Sequence, residues 1–124
     1  MSRLEELILF ILDRAKNSGI KDLSEFQMFK IPYLIQFLSL KYAGTLFVPD
    51  ITFVRDKNGP ISVDIYTAIE KLIACGRINK EIIENKKYGY PRYAHSLNGK
   101  LPKLSLNTGE IIFLDNLIGT RQSH

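Results

Sequence analysis

Apolar side chains recur at helical period from the start of the chain, with Leu4, Leu7, Ile8, Ile11, Leu12 and Ala15 on one face. Ser2 and Glu5 have capping-box spacing, Arg14 and Lys16 suit the negative end of the helix dipole, and Gly19 is the expected stop. Leu9 and Phe10 widen the apolar face past a single stripe, so this helix is either central in the fold or in contact with another chain. A second helix is predicted to start near Asp22 or Ser24. Phe26, Phe29, Tyr33, Phe37 and Leu40 hold helical phase across Pro32, which marks them as its core face. Pro32 must bend or split that helix, because its ring strikes the carbonyl of Met28 and its nitrogen donates no hydrogen bond.

After Gly44 the segment LFVPDITFVR mixes β-branched and aromatic residues with Pro49, a pattern that predicts an edge strand. Residues 53–78 then join a strand, an Asn-Gly-Pro turn and an amphipathic helix with no spare residues. Gly59 can supply a backbone angle closed to other residues, and Pro60 biases it away from the helical region, so no helix begins before Pro60. Ser62 offers an N-cap hydroxyl, Ile65, Ile69, Leu72 and Ile73 line one face, and Gly76 stops the helix. Leu34, Ile69 and Leu72 are expected to be buried together. INKEIIE and YPRYAHSL predict a hairpin around Lys86-Lys87-Tyr88-Gly89, with Pro91 at its edge. Leu106 or Asn107 opens a short helix that should close at Gly119, with residues 120–124 fraying. The predicted class is α+β, mostly helical, in a winged-helix-like order of helix, helix, strand, helix, β-hairpin and short helix.

The helix FKIPYLIQFLSLKYAG, with Lys30, Tyr33 and Leu34, the Gly59-Pro60 pair, Tyr66 one turn into the next helix, and the exit Leu72-x-x-x-Gly76-x-Ile78 together resemble the Panacea domain, the SocA-like antitoxin family of bacteria, archaea and their phages. The resemblance covers roughly residues 20–115. It implies one domain over residues 1–124 that neutralises a partner toxin by direct binding, without catalysis or cofactor, with Lys30, Tyr33, Gly59, Pro60 and Tyr66 as its motif. Two features depart from the family: Pro32 falls inside its core helix, and the chain ends soon after SLNTGEIIFLDNLIG, where family members run on into further helix. The domain is therefore expected to be shortened at its C-terminus.

At 124 residues and 45% apolar content, the chain is long enough for a hydrophobic core. The run LILFIL is too short to span a bilayer and follows Glu5 and Glu6 instead of a basic flank, which points to a cytoplasmic protein with no membrane role. The single cysteine, Cys75, is expected to pack as a small thiol on the flank of the third helix. The net charge of +4 is unevenly spread: between Arg77 and Lys103 seven basic residues stand against two acidic ones, a local +5.

That segment raises nucleic-acid binding. Lys86, Lys87 and Arg92 interleave with Tyr88, Tyr90 and Tyr93, which could contact phosphates and stack on bases. Tyrosines of a small hairpin also serve as cover for a core, and a Lys-Lys-Tyr-Gly tip is an ordinary solvated turn. A winged helix reads the major groove with its third helix, yet residues 62–76 offer Asp64, Thr67 and Glu70 with a single base, Lys71, on the outward side. His95 and His124 lack neighbours at metal-ligand spacing, and no phosphate loop or nucleophile elbow is present. Asp50, Asp56 and Asp64 near the turn are better explained as turn formers and helix-dipole partners than as catalytic carboxylates. The reading is a non-catalytic interaction domain, an antitoxin with a toxin as partner and at most weak nucleic-acid binding. The runner-up is a winged-helix DNA-binding regulator.

Overall fold

A computed structural model describes residues 1–85, 87 and 89–122. Helix α1 (Arg3–Asn17) opens on the capping box foreseen from Ser2 and Glu5, each side chain bonding the other residue's backbone N–H. Its wide apolar face is explained by position, since Leu7, Ile8, Leu9 and Phe10 are all buried and the helix runs through the centre of the core. A two-residue strand, β1 (Leu23–Ser24), follows, and Ser24 caps α2 (Glu25–Ala43) in a second capping box with Gln27.

α2 continues through Pro32 as one helix, so the split alternative is removed. Its expected core face is corrected. The buried side chains are Met28, Pro32, Ile35, Gln36 and Ser39, whereas Phe26, Tyr33, Phe37 and Leu40 are exposed and Phe29 and Leu34 are half-buried. Apolar residues surround this helix, so their period cannot choose an inner face. The choice falls to Gln36, whose amide donates to the Val48 carbonyl oxygen at 2.6 Å and accepts from the Val48 N–H at 2.9 Å. Ser39 adds a hydroxyl donated to the Thr45 carbonyl oxygen at 2.7 Å.

Those side-chain bonds also explain why the strand expected across LFVPDITFVR is short. Val48 spends its backbone groups on Gln36, Pro49 has no N–H, and strand β2 is confined to Val54–Asp56. It pairs antiparallel with an unforeseen strand, β3 (Gly59–Ile61), in the register Val54↔Ile61, Arg55↔Pro60 and Asp56↔Gly59. Helix α3 (Val63–Ala74) then starts at the Ser62 cap and ends at Gly76, where the Arg77 N–H reaches the Leu72 carbonyl and the Gly76 N–H that of Ile73, a Schellman closure. Ile65, Ile69 and Leu72 are buried as expected. Cys75 is exposed and not packed, because it follows the last helical turn as the C-cap.

Strands β4 (Ile78–Asn85) and β5 (Tyr90–Leu97) form the expected hairpin, and β1 pairs with β5 on its other side, giving the antiparallel order β1-β5-β4. Only Leu23↔His95 and Ser24↔Ala94 join β1 to β5, so Pro91 sits where β5 has a single neighbour and its missing donor costs no pairing. α4 (Thr108–Gln122) is capped by Asn107, one of the two expected starts, but it runs on through Gly119 instead of closing there. Nothing in the sequence supplies a stop, since Gly119 without a following breaker is tolerated inside a helix. Ser123 and His124 lie outside the described residues. The class is α+β, about half helical.

Three polar contacts fasten α4 and its approach to α1. The Glu6 carboxylate is buried and accepts from the Ser105 backbone N–H at 2.8 Å and the Ser105 hydroxyl at 2.9 Å. Arg14 donates to Asp115 at 2.7 Å, and the Arg3 guanidinium pairs with Glu110.

Candidate functional site

The motif residues gather where α2 meets the β2–β3 hairpin. Lys57 and Asn58 alone join the paired residues Asp56 and Gly59, and Gly59 takes φ = 125°, a conformation that side chains disfavour. A Cβ at Gly59 would lie 2.8 Å from Cε2 of Phe26, so the absence of a side chain lets the hairpin close onto α2. Lys30 sits over the ring of Phe26 with Nζ 5.5 Å from the centroid. One helical turn further, Tyr33 meets Phe53 edge-on at 5.3 Å. Tyr33, Phe53 to Lys57, Gly59 and Pro60 line an open cleft of about 640 Å³. The structure thus brings Tyr33, Gly59 and Pro60 together, with Lys30 beside them. Tyr66 stands half-exposed on the first turns of α3 and is not part of the cleft wall.

Around this cleft the surface is unusually apolar. Phe26, Tyr33, Phe37 and Leu40 follow one another at offsets of seven, four and three residues, which keeps them on one side of α2. All four are 40% exposed or more. The directly paired Val54 and Ile61 and the adjacent Val63 are exposed too. Single exposed apolar residues need no explanation, but a run at helical spacing beside a hairpin of the same character marks an interaction surface. Sequence reasoning found these α2 residues through their period and assigned them to the core; the exposure of Val54, Ile61 and Val63 had no sequence signal.

The basic hairpin is a separate feature. Lys86 and Tyr88, two of its candidate contact residues, lie outside the described residues. Lys87 is exposed at the tip, and Arg92 is exposed with a guanidinium nitrogen 3.9 Å from Asp22. Lys80 pairs with Glu70 at 3.7 Å and lies 4.6 Å over the half-buried ring of Tyr93. Tyr93 therefore covers the sheet, while Tyr90 is exposed. On α3 the outward Asp64, Thr67, Glu70 and Lys71 are all exposed, and Asp64 accepts from the Thr52 N–H at 2.8 Å. This bond gives Asp64 a structural role at the start of α3.

His95 is buried in β5 with Nδ1 3.3 Å from the Leu23 carbonyl oxygen, so it ties β1 to β5. Burial pushes its pKa below the ordinary imidazole value; Lys80 acts in the same direction, and the Leu23 carbonyl opposes it. Among the described residues no three His, Cys, Asp or Glu side chains are grouped to hold a metal ion. None of the described helices is long and apolar enough to cross a membrane. Comparison with protein-family models, with curated proteins and with solved structures returned no match for this chain.

Proposed function

We propose that this chain is a non-catalytic protein-interaction domain of the Panacea, SocA-like type that acts in the cytoplasm as an antitoxin, occluding a toxin by direct binding. The observation that carries the reading is the exposed apolar surface of α2 and the β2–β3 hairpin, built on the Phe26–Gly59 contact. Burying such a surface on a partner supplies the favourable free energy of association, and a stoichiometric complex then denies the toxin the surface it needs. The Gly59-Pro60 hairpin contributes by aiming α3 and by holding Phe26 and Tyr33 at the surface.

Expression beside the products of neighbouring genes is the test. The chain is expected to restore growth of cells that express a toxic neighbour and to purify with it in a fixed ratio. Failure to rescue any toxic neighbour, with no complex formed, overturns the antitoxin reading. A second reading, a winged-helix DNA-binding regulator, draws support from the order β1-β5-β4 flanked by α2 and α3. The exposed acids of α3 speak against major-groove reading by that helix.

A further inference from the structure

The apolar surface of α2 and the hairpin carries a one-sided charge. Arg55 and Lys57 line the cleft with Tyr33, opposed there by the single carboxylate Asp56. Lys30 and Lys41 follow the exposed α2 stripe at an eleven-residue interval, three helical turns, and so share its side; Glu25 stands at its N-terminal end. None of these four cations is in an ion pair with a carboxylate among the described residues. Lys30 and Lys41 instead hold their ammonium groups over aromatic rings, Phe26 at 5.5 Å and Tyr42 at 5.4 Å, contacts that leave the positive charge without a neutralising carboxylate.

We infer that this surface seats an acidic amphipathic helix of the partner protein, its apolar side chains against Phe37, Leu40, Val54 and Ile61 and its carboxylates against Lys30, Lys41, Arg55 and Lys57. The inference rests on the protein-interaction reading above and names the chemistry of its partner. Two other occupants fit less well. A second copy in a two-fold dimer would bring the same cations face to face, since such an interface is isologous. Single-stranded nucleic acid would need a series of free ring faces for stacking, but Phe26 is covered by Lys30 and closed against Gly59, Tyr33 is engaged by Phe53, and of the remaining contacts only Phe37 is aromatic, Leu40, Val54 and Ile61 being aliphatic. An extended apolar stripe bordered by cations matches helix-in-groove recognition, in which apolar anchors repeat every three to four residues.

Fluorescence anisotropy with the intact chain tests this with three labelled probes. Two are helical peptides of about five turns, the length of α2, with the same leucine face and either glutamates or lysines elsewhere; the third is an oligo-dT strand. The glutamate peptide is expected to bind saturably and to weaken at least about tenfold between about 50 and 300 mM salt, as exposed charge pairs are screened. The lysine peptide and oligo-dT are expected to bind at least about tenfold more weakly. Arg55→Glu with Lys57→Glu, both at exposed positions, should reverse the preference between the peptides while the melting temperature holds. The same double variant should lose rescue in cells that the parent chain rescues.

No binding of the glutamate peptide, equal binding of both peptides, a preference for oligo-dT, or a double variant that keeps the parent's preference each overturns the inference. If rescue by the parent succeeds and survives the double variant, the interaction reading stands and the interface lies elsewhere. If the parent fails to rescue while the glutamate peptide binds as expected, the antitoxin reading alone falls.

Discussion

At Gly59 two independent constraints meet, a positive φ and the ring of Phe26 where a Cβ would stand. Gly59→Val is expected to destabilise by about 1–3 kcal/mol, because the valine would have to displace Phe26 and adopt a strained backbone at once. Thermal melts read this directly, and a Gly59→Val melt equal to that of the parent chain would show that the hairpin does not depend on the glycine. Glu6 is a second sensitive position, for a different reason. Its buried carboxylate satisfies two donors of Ser105, so Glu6→Ala should cost about 1.5–3 kcal/mol by denaturant titration, the range for hydrogen bonds to charged groups. Its place on an apolar helical face gave no hint of this, since its partner lies 99 residues away.

Each helix depends on a local signal and a distant one. Capping boxes at Ser2 and Ser24 and the Ser62 hydroxyl set where the first three helices begin; the Ser2–Glu5 spacing and the Ser62 hydroxyl were legible in the sequence, whereas the start of α2 was narrowed only to Asp22 or Ser24. Which face of α2 turns inward was not visible, because Gln36 had to find Val48 across an irregular loop. The sheet has its own dependence on His95, whose bond to Leu23 joins β1 to β5. Its folded pKa lies below the unfolded value of 6.5, so the unfolded chain takes up the proton first as the pH falls. Stability from the neutral imidazole is complete above pH 6.5 and declines below it, until the folded form is protonated as well. Denaturant titrations should show the parent losing stability as the pH falls below 6.5, with a shallower loss in His95→Gln. An identical decline in both would assign the effect to other groups.

Over the whole molecule, basic residues are widely spread, with local groups on the β4–β5 hairpin and on the surface of α2 and β2–β3. The hairpin cations are partly engaged, Lys80 with Glu70 and Arg92 near Asp22, and the exposed side of α3 is acidic. Titration with the chain's own upstream DNA near about 150 mM salt should therefore show no tight sequence-specific binding, only weak binding that salt abolishes. Nanomolar specific binding lost on Thr67→Ala with Lys71→Ala would replace the antitoxin reading with that of a regulator.

The amino-acid sequence by itself determined the helix starts, the Schellman stop at Gly76, the β4–β5 hairpin and the need for glycine at position 59. These depend on bonds within a few residues, or on a backbone angle that one residue must adopt. The α+β class followed from the same local signals. Only the tertiary structure decided that the aromatic stripe of α2 faces outward, that β2 is short and paired to β3, that Cys75 is exposed, and that Glu6 and Gln36 are buried with partners. The inner face of α2 and the buried partners of Glu6 and Gln36 depend on contacts between separate segments of the chain, and a period of apolar residues on all sides of a helix contains no information about which side the rest of the protein will cover.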